Sequence, residues 1–118
     1  MKKTIKLSQG AGGEQMDLLI KDTILKYFTK KTGEVNLSML DDSAVIDDIV
    51  FSTDSHTVQP IIFPGGDLGS LSVAGTVNDI SVMGAKPIAL SSAFIIEEGL
   101  SSEKFETIIK SMAETSKK

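Results

Sequence analysis

Apolar residues fall at helical spacing in the first third of the chain, where Met16, Leu19, Ile20, Ile24, Tyr27 and Phe28 share one face. Lys26, Lys30 and Lys31 sit in the last turns and Gly33 follows as a stop, so the pattern predicts a helix over 14–31. The pattern then shortens to β-branched runs, Ser43–Ile46 and Ile49–Thr53, joined at Asp47-Asp48. These read as a hairpin, although Asp-Asp is a weaker turn signal than Asp-Gly. Residues 55–66 carry Pro60, Pro64, Gly65 and Gly66 and read as a loop. Asp67 suits a helix N-cap, and Leu68 to Met83 is apolar on most faces, which predicts a buried helix. From Pro87 to Glu97 the chain alternates, with Ile88, Leu90, Phe94 and Ile96 on one face and Ala89, Ala93 and Ile95 on the other. That alternation predicts a long strand, its second apolar face covered by a partner chain. A last helix starts at Ser101 or Ser102 and carries Phe105, Ile108, Ile109 and Met112. The expected class is α+β, a small mixed or antiparallel sheet packed with helices.

At 118 residues the chain is expected to form one domain. There are twelve Lys and no Arg, with a net charge of −4. That balance argues against nucleic acid and removes any arginine clamp on a phosphate, so phosphate binding must use Mg²⁺, backbone N–H groups or Lys. The absence of Cys excludes disulfides, thiolate metal sites and a cysteine nucleophile within this stretch. The basic start Met1-Lys2-Lys3 leads into polar residues, not the apolar run of a signal peptide, and no apolar stretch reaches spanning length. The expected location is cytoplasmic, with no membrane contact.

Against this background the aspartates stand out. They occur in order as Asp41-Asp42-Ser43, Thr53-Asp54-Ser55-His56, Gly65-Gly66-Asp67 and Asn78-Asp79. Mg²⁺ takes oxygen ligands and bridges one or two carboxylates to substrate phosphates. Asp42 and Asp54 lie at the ends of neighbouring strands of the expected hairpin, where two like charges repel unless a cation relieves them. Asp79 joins them from the buried helix, with Gly75 one turn earlier leaving room for a ligand or backbone. Asp42, Asp54 and Asp79 are therefore the candidate metal ligands. Asp41, Asp47 and Asp48 read as turn residues and Asp67 as a cap. Gly10-Ala11-Gly12-Gly13 precedes a helix and is either a phosphate cradle or a flexible N-terminal loop; it is not a Walker A loop. Pro64-Gly65-Gly66-Asp67 carries the same two readings. His56, the one histidine, is a general base, a metal ligand or a hydrogen-bonded loop residue. Lys86 reads as a solvated turn lysine, the alternative being one that reaches a phosphate, and the methionines are core filler.

These motifs together, with Phe63-Pro64-Gly65-Gly66-Asp67 and Phe94-Ile95-Ile96-Glu97-Glu98-Gly99, resemble the HypE family of hydrogenase maturation proteins within the AIR synthase superfamily. The resemblance covers nearly all of 1–118, which would be the N-terminal ATP-binding domain. It implies that Asp42, Asp54 and Asp79 hold Mg²⁺ and phosphates, and that Gly10, Gly12 and Gly13 close over ATP. Asn78, Gly65 and Gly66 would complete the phosphate site. It also implies a homodimer that closes a β-barrel through the sheet. In the family, ATP drives dehydration of a carbamoyl group on a C-terminal cysteine to thiocyanate, the source of the cyanide ligands of [NiFe] hydrogenase. Partners would be other maturation proteins, a carbamoyl donor and a cyanide-acceptor complex. The second domain and cysteine tail are absent from these residues, so no catalytic residue is assigned and the stretch alone is expected to be inactive. Two alternatives remain: another superfamily enzyme such as a thiamine-monophosphate kinase, and a non-catalytic dimerisation module.

Overall fold

The computed structural model describes residues 4–118; Met1–Lys3, read above as a short basic start, lie outside the described residues. A 3₁₀ turn, Leu7–Gly10, leads through the glycine loop into α1, Glu14–Leu19. The helix continues as a π-helical turn, Ile20–Leu25, and ends there. Tyr27 and Phe28 close it with short-range turn bonds to Ile24 and Leu25, so the helix expected to reach 31 ends at Leu25. The reason is packing: Met16, Leu19 and Ile20 are half-covered, but Ile24, Tyr27 and Phe28 are exposed, and nothing offsets the poor helix propensity of Tyr-Phe-Thr.

Strands β1, Ala44–Ile46, and β2, Ile49–Phe51, form the expected antiparallel hairpin, with Val45 opposite Val50. Asp47 and Asp48 both take the left-handed conformation, at φ 51° and 63°. This is the primed turn that suits the strand twist, made by the residue type that tolerates it best after Asn and Gly. Asp48→Gly is accordingly expected to raise stability by roughly 0.5–1 kcal/mol, read as a higher thermal midpoint. Val35 adds a one-residue bridge on the other side of Val45.

The stretch read as a loop contains a second, two-residue ladder, β3 (Ile62–Phe63) against β4 (Gly66–Asp67). Pro64 and Gly65 are its corner, and Gly65 at φ 90° supplies the positive φ that a type II turn needs after proline. β4 delivers Asp67 as the cap of α2, Leu68–Ser81. Its Oδ1 accepts from the Ser70 N–H at 2.9 Å, and Ser70 Oγ accepts from the Asp67 N–H at 3.1 Å. α3, Ser102–Thr115, begins at Ser101, whose Oγ accepts from the Lys104 N–H.

The main packing seam joins α2 to α3. Val73 and Ile108 are its two buried apolar side chains. Gly69 faces the Ile108 carbonyl so closely that a Cβ would collide with it. The expectation that α2 is buried holds only in part, since Leu71 and Val82 are exposed.

The predicted long strand over 87–97 does not form. No residue of that segment enters a ladder, and Ile88 and Ile95 are almost completely exposed. Alternation fixes which side chains share a face, but a strand exists only when another strand takes its N–H and C=O groups. No strand among the described residues does so. The radius of gyration is 17.1 Å, against about 13–14 Å for a compact domain of this length. The accessible surface is 9710 Å², against about 6,200 Å² for a compact monomer of 12.6 kDa. No helix among the described residues is long and apolar enough to cross a membrane.

Candidate functional site

The hairpin and α2 meet through serines. Ser43, at the start of β1, is buried, and its Oγ donates to the backbone carbonyl of Asp79 at 2.9 Å. Ser52, just past β2, places its Oγ 3.1 Å from the Asp42 carbonyl and 3.4 Å from Asp79 Oδ2. A hydroxyl has one proton, so Ser52 donates to one of these oxygens at a time. These bonds set Asp79, in the last turn of α2, against the end of the hairpin that carries Asp42. That meeting follows from the turn at Asp47-Asp48, which brings the outer ends of β1 and β2 side by side.

Asp54 lies three residues beyond β2. Its Oδ1 accepts from the Ser55 N–H at 2.7 Å, and its Oδ2 lies 3.4 Å from His56 Nε2. The His56 side chain is 16% exposed and Asp54 41%. The imidazole rests on Gly75 of α2, where a Cβ would collide with Nε2. The space at Gly75, expected to admit a ligand or backbone, is therefore filled by His56. Composition and spacing carried no signal for that contact, since the two residues are distant in sequence and Gly75 reads as an ordinary small helical position.

The structure thus brings the backbone carbonyl of Asp42 and the carboxylate of Asp79 to Ser52, and Asp54 to His56. Among the described residues, no three of His, Asp and Glu converge closely enough to hold a metal ion by themselves. The donor chemistry nonetheless fits a hard cation. Asp42 and Asp54 are exposed carboxylates, and Asp79 is a half-buried one whose single side-chain donor is the long Ser52 contact. Mg²⁺ completes such a set with waters and phosphate oxygens.

The glycine-rich segments differ from one another. Gly10, Gly12 and Gly13 have open space where a Cβ would project, and Gly12 and Gly13 take positive φ. Gly13 caps α1, its carbonyl accepting from Met16 and Asp17. Gly65 is a turn residue and Gly66 packs against Phe63 and Ser70. At the start of α2 the Leu68 N–H donates to the Ile61 carbonyl and that of Ser70 to Asp67, so these two donors already have protein acceptors. Asn78 is exposed.

A cleft of about 420 Å³ separates α1 from the hairpin. Met16, Ile20 and Phe51 give it apolar walls, and Asp41, Asp42 and Thr53 lie on its polar side. The helix that follows the glycine loop therefore faces the Asp42 end of the hairpin across this open cleft. A second cleft, about 480 Å³, runs between Tyr27, Phe28 and Ile46, away from these aspartates.

Residues 40–118 match the family described as AIR synthase related protein, N-terminal domain. The chain is 57% identical over 114 residues to a protein of Methanocaldococcus jannaschii named for hydrogenase expression/formation, covering 92% of this chain and 34% of that protein. It is 39% identical over 118 residues to carbamoyl dehydratase HypE of Escherichia coli K12, covering 96% and 35%. The same enzyme of Rhodobacter capsulatus is 39% identical over 112 residues, covering 92% and 33%. The chain thus spans about a third of the length of the curated relatives it matches. No solved structure gives a significant match. The ordered aspartate motifs, the hairpin that meets a capped central helix, and a family match running from Leu40 to the last residue agree: this chain belongs to the AIR synthase related proteins, as their N-terminal domain.

Proposed function

We propose that these residues are the ATP- and Mg²⁺-binding, dimerising domain of a HypE-type carbamoyl dehydratase of the cytoplasm. The likeness to carbamoyl dehydratases over nearly the whole chain carries this reading. Asp42, Asp54 and Asp79 would hold the cation, with Ser43 and Ser52 fixing Asp79 against the hairpin. Gly10, Gly12 and Gly13 would close over the phosphates, since that loop is open and leads into the helix lining the 420 Å³ cleft. Asn78 reaches solvent one residue before Asp79 and would meet a phosphate oxygen. Gly65 and Gly66 would act at most through the turn they build. With no Arg among these residues, phosphate binding falls to the cation, backbone N–H groups and Lys.

Bound Mg²⁺-ATP would supply the phosphoryl group that turns a carbamoyl oxygen into a leaving group, giving thiocyanate on a cysteine. That cysteine is not among these 118 residues. The carbamoyl donor and the cyanide-acceptor complex would be the partners of the whole protein.

Dimerisation rests on the uncovered surface. About 3,500 Å² beyond the norm for a monomer of this mass remains open on the chain, more than the roughly 1,000–2,500 Å² that each partner contributes to an obligate interface. The segment 87–97 presents apolar residues and unpaired backbone, and strand addition by a second copy would satisfy both. A domain serving dimerisation alone would share this surface but bind no nucleotide.

Calorimetric titration with ATP, with and without Mg²⁺, and the mass in solution test the reading together. A dimer that binds ATP in a Mg²⁺-dependent way is expected. A folded dimer without affinity would favour the dimerisation module.

A further inference from the structure

We propose that His56 is a positioning residue for Asp54, seated by Gly75 so that it ties Asp54 to the helix that carries Asp79. This rests on the reading of Asp54 as a cation ligand. Asp54 lies on a segment with no ladder of its own, and its carboxylate is exposed. A side chain so placed rotates freely unless something fixes it. Oδ1 is fixed by the adjacent Ser55 N–H. Oδ2 faces the imidazole of His56 at 3.4 Å, a polar contact longer than an ordinary N–H···O hydrogen bond.

The imidazole is itself held. It is mostly buried, and it lies against the one position of this α2 face without a side chain, Gly75. Gly75 and Asp79 are four residues apart on α2 and share that face. His56 therefore relates Asp54 to Asp79, although no hydrogen bond joins the two acids. Outer-shell neighbours of ligating groups commonly orient them and so set metal affinity. His56 needs to touch neither substrate nor cation for the role, and the dyad with Asp54 is used for orientation, not for proton transfer.

The full 118-residue chain can be tested with Mn²⁺ alone, followed by electron paramagnetic resonance, and with Mg²⁺-ATP by calorimetry. His56→Ala is expected to weaken Mn²⁺ and Mg²⁺-dependent ATP binding about 10-fold, while folded content by circular dichroism is unchanged. His56→Gln, whose amide N–H can donate to Oδ2, is expected to recover most of the loss. Gly75→Ala displaces the imidazole without altering it and is expected to reproduce His56→Ala. It carries the same prediction should His56→Ala fail to fold. Binding that is lost in Asp54→Asn but intact in His56→Ala or Gly75→Ala overturns the assignment and leaves the cation site standing. Binding untouched by Asp54→Asn, or absent from the unaltered chain, overturns both.

Discussion

Ile108→Ala is expected to lower the unfolding free energy by about 2–4 kcal/mol, seen as a lower urea midpoint with a similar transition slope. Ile108 and Val73 are the two buried apolar side chains among the described residues, and both lie on the seam between α2 and α3. Truncating Ile108 removes the transfer energy of three carbons and leaves a void that two helices cannot easily close. The seam is already at its minimum spacing, because Gly69 meets the Ile108 carbonyl directly. Helices that touch through a glycine and a carbonyl cannot slide closer to refill space. Gly69→Ala attacks the same seam from the other side, by forcing a Cβ onto backbone that cannot rotate away. Small domains hold only about 5–15 kcal/mol in total, so the loss is a large fraction of the whole. An effect below about 0.5 kcal/mol, the range of ordinary surface substitutions, would show that this seam does not organise the chain.

Asp79→Asn is expected to reduce Mg²⁺-dependent ATP affinity by at least about 10-fold, or about 1.4 kcal/mol, with little change in stability. The substitution isolates charge. The asparagine carbonyl can still accept from Ser52 Oγ, and the bond from Ser43 goes to the backbone carbonyl, which any residue provides. The meeting of hairpin and helix therefore survives, while one negative oxygen disappears from the cation's surroundings. Ser43→Ala is the informative contrast, since it keeps the charge and loosens the tether. Equal ATP affinity in Asp79→Asn and the unaltered chain, in the presence of Mg²⁺, would remove Asp79 from the ligand set.

Much of the local structure is legible in the residues because its causes are local. Asp67 caps α2 and Ser101 caps α3 through bonds that span three residues. The turn at Asp47-Asp48 is made by two residues that tolerate positive φ. The second turn was readable too, since Pro64 followed by Gly65 fits a type II corner. The ladder it serves has two residues per strand, too few to show a period. The first helix is misjudged in length because periodicity records which face is apolar, not whether anything covers it. Ile24, Tyr27 and Phe28 keep the spacing and lack the cover.

The candidate site divides along the same line. The motifs around Asp42, Asp54 and Asp79 stand out in the sequence because acids at the edges of apolar runs need a reason to be there. Their partners do not stand out. Ser43 and Ser52 look like ordinary small polar residues, yet they bond across 36 and 27 positions to Asp79. His56 reads as a general base, a metal ligand or a hydrogen-bonded loop residue, and none of these readings signals its contact with Gly75.

By itself, then, the sequence determined the hairpin, the two capped helices, the acidic character of the site and the family resemblance. Each depends on neighbours in the chain or on residue chemistry. Tertiary structure alone decided that Gly69 sets the helix spacing, that Gly75 receives an imidazole, and that two serines bind hairpin to helix. Such contacts depend on where remote backbone segments come to lie. It also decided that 87–97 remains unpaired, because a strand's hydrogen bonds belong to its neighbour as much as to itself.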